Sequence, residues 1–305
     1  MGVERLRVMP RALAAVALVS ILLFATTVTM AEIRVVDDSG QTIVLKAPAR
    51  RIISLAPHAT ETLFYAGAGG QIVATVHHAD FPEAAKGIPR VGDSSLLDME
   101  RIVSLKPDLI VVWLHGNSEN QLDKLRTLGI PIFYSEPHVL ADIPGSLVRF
   151  GKLAATEPAA LQAASVFTTR LAEMRKRYSA RPVVSLFYQV WKKPLLTING
   201  GQIISDVIRL CGGKNIFADA SLLVPTVDIE AVVTADPEAI IATHAETEGE
   251  DWFDVWRKWP GLRATANNNL ILIDSDSISR NSPRILDGAT LMCDALEAVR
   301  ARRKP

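Results

Sequence analysis

Polar and aromatic side chains stand where the predicted strands of this 305-residue chain end. In parallel α/β sheets, ligands bind beyond the carboxyl ends of the strands. Trp and Tyr supply flat apolar surfaces for a large ligand, and His and Arg supply polar contacts. We therefore predict that a binding site is formed by a set of such strand-end residues: His58, His78, Trp113, His115, Tyr188, Trp191 and Arg280, with His244 at a further strand end.

Simpler roles are open for several of these residues. Trp113 could belong to the core at the end of its strand, and His58 could only hydrogen-bond the backbone of the helix that follows it. His78 could be a surface residue beside His77.

Metal binding and catalysis both lack a sequence signal. Neutral imidazole is a common metal ligand, but the only close pair is His77 and His78, whose side chains diverge in an extended chain. The sequence also lacks the P-loop, G-x-G-x-x-G, G-x-S-x-G and H-E-x-x-H motifs. We therefore predict no metal site, no bound cofactor and no enzymatic activity.

The elements that position these residues alternate along the chain. Short apolar runs of strand length follow helix-length segments, a pattern typical of βαβ units and a parallel sheet. The predicted strands and helices are a hairpin over 33–45, strands over 51–55, 72–76, 109–113, 132–134, 183–189, 239–243 and 270–273, and helices ending at Tyr65 or spanning 119–128, 203–210 and 285–300. We also expect Thr60 to cap the first helix, and Pro194 to Ile198 to extend the strand before it or to pair with it.

Two further helices carry specific expectations. Residues 157–178 predict a helix of about 22 residues, roughly 33 Å long, which is too long for a crossover within one lobe. We therefore predict an α/β fold of two Rossmann-like lobes joined by one long rigid helix, with boundaries at 32–141, 142–181 and 182–305. Asp251 to Trp259 predicts a Trp-rich helix whose Trp252, Trp256 and Trp259 share one face against the sheet.

One pattern recurs in both predicted lobes. Residues 100–112 and 230–243 each begin with Glu, have Pro seven residues later followed by an acid, and end in an apolar strand-like run. Pro forces the preceding residue out of helical geometry, so each stretch predicts a short helix that leads into a buried strand. Glu100 and Glu230 suit the positive end of a helix dipole. As exposed acids, one on each lobe, they could also dock on a basic partner.

The composition and the N-terminus indicate an exported globular protein. The chain is 49% hydrophobic with a formal net charge of zero, which argues against nucleic acid as a partner. Three arginines precede the apolar run Ala12 to Val28, and Thr29-Met30-Ala31 offers small residues for cleavage. We predict a signal peptide over residues 1–31 and a periplasmic protein. A membrane anchor is the alternative, although the run is near the lower length limit for a spanning helix.

The chain contains two cysteines, Cys211 and Cys293. In an exported protein two cysteines usually pair, and a bridge here would tie the last helix of the second lobe to its first. Two buried free thiols are the alternative. No Cys-x-x-Cys occurs, so redox chemistry is not indicated.

With these elements assigned, the chain resembles a known family over about residues 50–297. It is similar to the periplasmic cobalamin-binding receptors of ABC importers, within the helical-backbone group (class III periplasmic binding proteins) that also carries siderophores and haem. The stretches that carry the resemblance are S-L-A-P-H-A-T-E at 54–61, D-F-P at 80–82, E-R-I-V at 100–103, K-P-D-L at 106–109, Trp113 with Gly116-Asn117, C-G-G-K-N-I-F at 211–217 and S-P-R-I at 282–285.

The resemblance implies a function for the whole chain. It implies a corrinoid ligand in a cleft between the lobes, a disulfide between Cys211 and Cys293, and docking of Glu100 and Glu230 onto arginines of an ABC permease dimer. A family tyrosine falls at His78, so this imidazole could contact or coordinate the corrin cobalt. We expect a monomer that captures cobalamin and performs no chemistry.

Three other functions remain open from the sequence alone. The same scaffold could carry a ferric siderophore or haem, which clustered Arg or Tyr in the cleft would favour. A metal-dependent α/β hydrolase would show turnover that chelators abolish. An adhesion or scaffold module would need no ligand cleft.

Overall fold

The computed structural model describes residues 32–244 and 251–303, so the predicted signal peptide lies outside the described residues. Within these ranges, no helix has the length and apolar character needed to cross a membrane. An antiparallel hairpin begins the described chain, as predicted, and pairs Ile33 with Leu45. The ten strands of the described ranges are β1 (Ile33–Val36), β2 (Thr42–Leu45), β3 (Ile52–Ser54), β4 (Ile72–Ala74), β5 (Leu109–Trp113), β6 (Ile132–Ser135), β7 (Val184–Gln189), β8 (Gly213–Asn215), β9 (Ala239–His244) and β10 (Leu270–Asp274).

Two four-stranded parallel sheets form the two lobes, which confirms the predicted α/β class. The first sheet has the order β4-β3-β5-β6, and the second, read from its other edge, has the order β8-β7-β9-β10. If β3, β4, β5 and β6 are matched with β7, β8, β9 and β10 in chain order, the two sheets have the same strand order. The central strands are buried on both faces because helices cover both sides of each sheet, as in β5, where Leu109 to Val112 are all buried.

Helices connect and cover the strands. The helices of the described chain are α1 (Pro57–Tyr65), α2 (Met99–Ser104), α3 (Glu119–Arg126), α4 (Ile143–Ala154), α5 (Glu157–Tyr178), α6 (Ile203–Leu210), α7 (Ile229–Ala235), α8 (Arg263–Ala266), α9 (Ser275–Ile278) and α10 (Ile285–Ala301). The expectation that Thr60 caps α1 is wrong. The N-cap is Ala56 and the helix begins at Pro57, because the fixed φ of proline suits the first helical turn. Thr60 instead lies buried inside the helix, where its hydroxyl contacts Ser54 and Thr75.

The predicted long helix is α5, which spans 22 residues and contacts both lobes. Its buried face carries residues three or four positions apart: Ala160, Ala164, Phe167, Leu171, Met174 and Tyr178. It packs closely on α4, where a Cβ at Gly151 would lie 2.3 Å from the Cβ of Ala160. Helix α4 itself packs on the first lobe, and Ala49 N donates to Leu153 O at 2.8 Å. A continuous apolar core therefore runs from the first lobe through α5 into the second.

Two predicted elements of the second lobe do not form. Residues 251–259 contain only one 3-10 turn, Trp256–Lys258. The carboxylate of Asp251 accepts the backbone N–H of Phe253, and that of Asp254 accepts the backbone N–H of Val255, which competes with helical hydrogen bonding. Trp252 and Trp256 are still buried as predicted, whereas Trp259 is exposed. Residues 194–198 make isolated bridges through Leu196 and no regular strand.

The predicted disulfide is confirmed. Cys211 at the end of α6 is bonded to Cys293 in α10, with 4.7 Å between their Cα atoms. Both residues are fully buried. The bridge therefore ties the last helix of the second lobe to its first, as the sequence predicts.

Candidate functional site

A cavity of about 450 Å³ lies between the two lobes, at the carboxyl ends of the strands. This position is the one expected for ligands of parallel α/β sheets. The first lobe contributes residues that follow β3 and β4 and the last residue of β5, and the second contributes residues that follow β10. The lining residues are Leu55, Pro57, Val76, His77, His78, Asp80, Asp93, Ser94, Trp113, Ser275, Asp276, Ser279 and Arg280.

Trp113 is the main aromatic surface of this cavity. It is the last residue of β5, and its backbone N–H donates to Asn117 Oδ1 at 2.7 Å. A Cβ at Gly116 would lie 2.0 Å from the indole ring, so a glycine is needed there for the chain to pass over the ring. His58 packs edge-on against the ring, with centroids 5.5 Å apart. The indole is therefore held in one orientation by the residues around it.

His58 supports Trp113 from behind and does not line the cavity. Its side chain is buried and its Nε2 lies 3.3 Å from Ser135 Oγ. Burial lowers the pKa of His58 to about 4, so the imidazole is neutral at neutral pH. A neutral ring can pack on an indole without placing a buried charge beside it.

His78 presents an exposed imidazole at the wall of the cavity. Its φ is +63°, which is uncommon for a residue other than glycine and is often found at ligand sites. Its backbone carbonyl accepts a hydrogen bond of 3.4 Å from Arg280 Nη2 of the other lobe. Within the described ranges, no hydrogen bond involves the imidazole ring.

Arg280 is the cation that the second lobe places at the cavity. Its guanidinium forms an ion pair of 2.9 Å with Asp276, one helical turn earlier. Asn281, the next residue, donates to Pro137 O at 3.0 Å. The segment that carries Arg280 is therefore in direct contact with the first lobe.

Besides His58, three predicted ligand residues lie outside the cavity: Tyr188, Trp191 and His115. Tyr188 is 0% exposed within β7 and cannot contact a ligand in this structure. Trp191 is exposed but packs edge-on against Trp252 beyond the cavity. The exposed imidazole of His115 pairs through Nδ1 with the buried carboxylate of Glu136 at 2.7 Å. A position at the end of a strand does not by itself predict whether the side chain faces the cavity.

Several cavity residues were missed by the sequence reasoning. They are mainly small or acidic residues in the loops after β4 and β10, namely Asp80, Asp93, Ser94, Ser275, Asp276 and Ser279. The strand-end rule could have found Asp276, since it lies two residues after the end of β10 and four residues before Arg280. In the described part of the chain, no three His, Cys, Asp or Glu side chains are gathered as a metal site.

Glu100 and Glu230 occupy equivalent places in the two lobes. Each lies in the first turn of its helix, α2 or α7, and each is exposed. Among residues 32–244 and 251–303, neither carboxylate has an ion-pair partner within 4.0 Å. Both acids are therefore free to meet a partner.

Comparison with known proteins agrees with this geometry. The family model described as periplasmic binding protein matches residues 52–277. The vitamin B12-binding protein of Vibrio campbellii is 36% identical over 257 residues, which cover 84% of this chain and 92% of that protein.

Solved structures give the same fold. The crystal structure of the periplasmic vitamin B12 binding protein of Vibrio cholerae has a TM-score of 0.77 and 37% identity, covering 83% of this chain and 98% of that one. The periplasmic heme-binding protein of Roseiflexus sp. RS-1 has a TM-score of 0.72 at 22% identity, covering 82% and 99%. At that identity the second likeness concerns the fold alone.

Proposed function

The chain belongs to the periplasmic binding protein family, and we propose that it captures a corrinoid, cobalamin being the best candidate, in the inter-lobe cavity and delivers it to an ABC permease. The observation that carries this proposal is the cavity itself, which joins a fixed indole of one lobe to a polar segment of the other. A corrinoid has a broad ring for the face of Trp113 and a periphery of amides that need hydrogen-bond donors and acceptors. The sequence relatives named for vitamin B12 support the same ligand.

The charges around the cavity favour a corrinoid over haem. Three carboxylates line the cavity, from Asp80, Asp93 and Asp276, against one guanidinium, from Arg280. Haem carries two carboxylates, which this surface would repel, whereas the amides of a corrinoid are uncharged. Clustered Arg or Tyr would suit haem or a ferric siderophore, but Tyr188 is buried and Arg280 is already paired.

We propose that the imidazole of His78 approaches the cobalt of the bound corrinoid. Its exposed imidazole has no hydrogen-bond partner in the described part of the chain, and neutral imidazole is a common metal ligand. A corrinoid whose axial ligand is water should exchange that water for the imidazole. The visible spectrum of aquocobalamin should then shift on binding to the wild type and not on binding to a His78→Ala variant. An identical spectrum in both would refute coordination.

Delivery to the permease is assigned to Glu100 and Glu230. They are exposed, they lie on separate lobes, and both are outside the cavity. Two acids on equivalent helices suit a dimeric partner that presents a basic group to each lobe. We propose that the protein works as a periplasmic monomer and leaves the ligand chemically unchanged.

Calorimetric titration of the mature protein tests the ligand class. We expect one-to-one binding of cyanocobalamin, with no comparable binding of haem or a ferric hydroxamate in parallel titrations. A Trp113→Ala variant should bind cyanocobalamin about tenfold or more weakly, since aromatic contacts in a binding site commonly contribute more than 1 kcal/mol. Binding of haem or the hydroxamate without cyanocobalamin would replace the proposed ligand and keep the receptor role.

A further inference from the structure

The three carboxylates that line the cavity differ in their partners. Asp80 forms an ion pair of 2.8 Å with Arg90, and Asp276 forms one of 2.9 Å with Arg280. Across the described ranges, no ion pair within 4.0 Å involves Asp93. Two of the three negative charges are therefore compensated, and the charge of Asp93 is not.

The carboxylate of Asp93 is held in place by a tight turn. Its Oδ1 accepts the backbone N–H groups of Ser95 at 2.7 Å and Leu96 at 2.8 Å, while Asp93 N donates to Leu96 O. Gly92 has a φ of +118°, and a Cβ there would lie 2.1 Å from Leu96 O, so glycine is required. The N–H groups of Leu96 and Ser95 lower the pKa of Asp93, which keeps it ionised at neutral pH.

The second oxygen of this carboxylate, Oδ2, is left to accept a hydrogen bond from a ligand. No hydrogen bond to Asp93 Oδ2 occurs among the residues that the structure describes. An ionised oxygen without a partner accepts strongly from an N–H donor and repels another anion. An amide of a bound corrinoid would donate a hydrogen bond to Asp93 Oδ2, whereas a ligand carboxylate at the same place would be repelled by it.

We infer that Asp93 is a specificity-determining residue that makes the cavity prefer corrinoids with uncharged amides over corrinoids or tetrapyrroles that carry carboxylates. This inference rests on the proposed function, because it concerns how the corrinoid cavity rejects related ligands. At a separation of about 6 Å and an effective dielectric constant of about 40, Coulomb's law gives about a tenfold loss of affinity for one added negative charge. Salt should weaken this discrimination, since the cavity opens to solvent.

The experiment uses ligands that differ by one charge and hardly in shape. Cyanocobalamin and its three propionamide-derived monocarboxylic acids are titrated into the mature wild-type protein and into Asp93→Asn. Asn keeps the Oδ1 acceptor for the Ser95 and Leu96 N–H groups, so the turn should persist. Glu173→Gln is the matched control, because it removes one negative charge from the exposed side of α5, away from the cavity.

The readout is the ratio of the cyanocobalamin affinity to that of each monocarboxylic acid. We expect at least one acid to bind the wild type about tenfold more weakly than cyanocobalamin. This ratio should fall to about two in Asp93→Asn and stay unchanged in Glu173→Gln. Raising the salt concentration from about 0.05 to 0.5 M should reduce the wild-type ratio, because shorter screening lengths weaken charge repulsion.

Two results would overturn the inference in different ways. If the wild type binds cyanocobalamin but the ratio is near one for all three acids, or is the same in Asp93→Asn, the assignment of Asp93 is wrong and the corrinoid function stands. If the wild type does not bind cyanocobalamin, the proposed function fails and this inference falls with it.

Discussion

A buried ion pair between the lobes gives the sharpest prediction about stability. Glu61 of α1 is 2% exposed, and its carboxylate pairs with Arg284 of the second lobe at 2.7 Å and accepts a hydrogen bond from Ser282. The guanidinium of Arg284 also lies 4.3 Å from the ring centroid of Phe81.

Replacing Arg284 by Met should leave the Glu61 carboxylate buried without a cation. Breaking a buried pair in this way costs about 3 kcal/mol of unfolding free energy. Burial raises the pKa of Glu61 above its ordinary value of 4.5, while Ser282 and Arg284 oppose that rise. Without Arg284 the pKa of Glu61 should rise further. Protonation of the carboxyl should then reduce the loss of unfolding free energy.

This cost should depend on pH in a defined direction. A folded carboxyl with a raised pKa binds its proton more tightly than the unfolded chain does, so its favourable contribution is present below pH 4.5 and lost as the pH rises through the folded pKa. The loss should be larger in Arg284→Met, where the pKa of Glu61 is higher. The deficit relative to the wild type should therefore be small near pH 4.5 and about 3 kcal/mol at pH 7.5.

Urea unfolding followed by tryptophan fluorescence at the two pH values measures this deficit. Arg34→Met is the matched control, because its pair with Glu32 is exposed and should contribute less than about 1 kcal/mol at either pH. Adding Glu61→Gln to Arg284→Met should recover most of the deficit, since the buried charge is then absent. A deficit that is equal at both pH values, or below about 1 kcal/mol at pH 7.5, would refute this reasoning.

Three other predictions follow from the described geometry. Because the pKa of His58 is lowered to about 4, the folded state should lose about 3 kcal/mol as the pH falls from 6.5 to 4; urea unfolding of a His58→Asn variant should lack this loss. Replacing Cys211 and Cys293 by Ala opens a loop of 82 residues and should lower the unfolding free energy by about 4 kcal/mol; a loss below about 1 kcal/mol in the same assay would contradict this. Glu100→Ala combined with Glu230→Ala should impair ligand uptake through the permease in a transport assay, and a loss of ligand affinity in calorimetry would show that the docking role is wrong.

The scaffold could be predicted because its signals are local. Apolar runs of strand length, separated by helices, predicted seven of the eight parallel strands of the described chain, all except the short β8. The repeated acid after proline has a structural cause. Asp108 accepts the backbone N–H of Arg51 at 3.0 Å, and Glu238 accepts that of Ser185 at 3.1 Å. In both lobes the acid therefore ties the strand that follows it to the beginning of its neighbour.

The conformation of residues 251–259 could not be predicted because burial of their tryptophans does not require a helix. Trp256 is fully buried, and its indole N–H donates to Gln189 Oε1 at 2.7 Å. This contact with the end of β7 can form from a 3-10 turn as well as from the predicted helix. The apolar pattern of 251–259 was therefore informative about burial and uninformative about the helix.

The repeat also explains why the cavity residues were harder to predict from the sequence than the positions of Glu100 and Glu230, the proposed docking acids. Glu100 and Glu230 belong to the duplicated unit, so one position implies the other. The cavity does not follow the duplication, because the first lobe contributes the loops after β3 and β4 and the last residue of β5, whereas the second contributes the segment after β10. In the matched order, β10 corresponds to β6, a strand that supplies no lining residue in the first lobe. The two lobes thus present non-equivalent edges to the cavity, with Trp113 on one side and the Asp276–Arg280 pair on the other. Internal similarity can therefore identify the scaffold and the equivalent positions of Glu100 and Glu230, while the cavity is lined by loops that the repeat does not constrain.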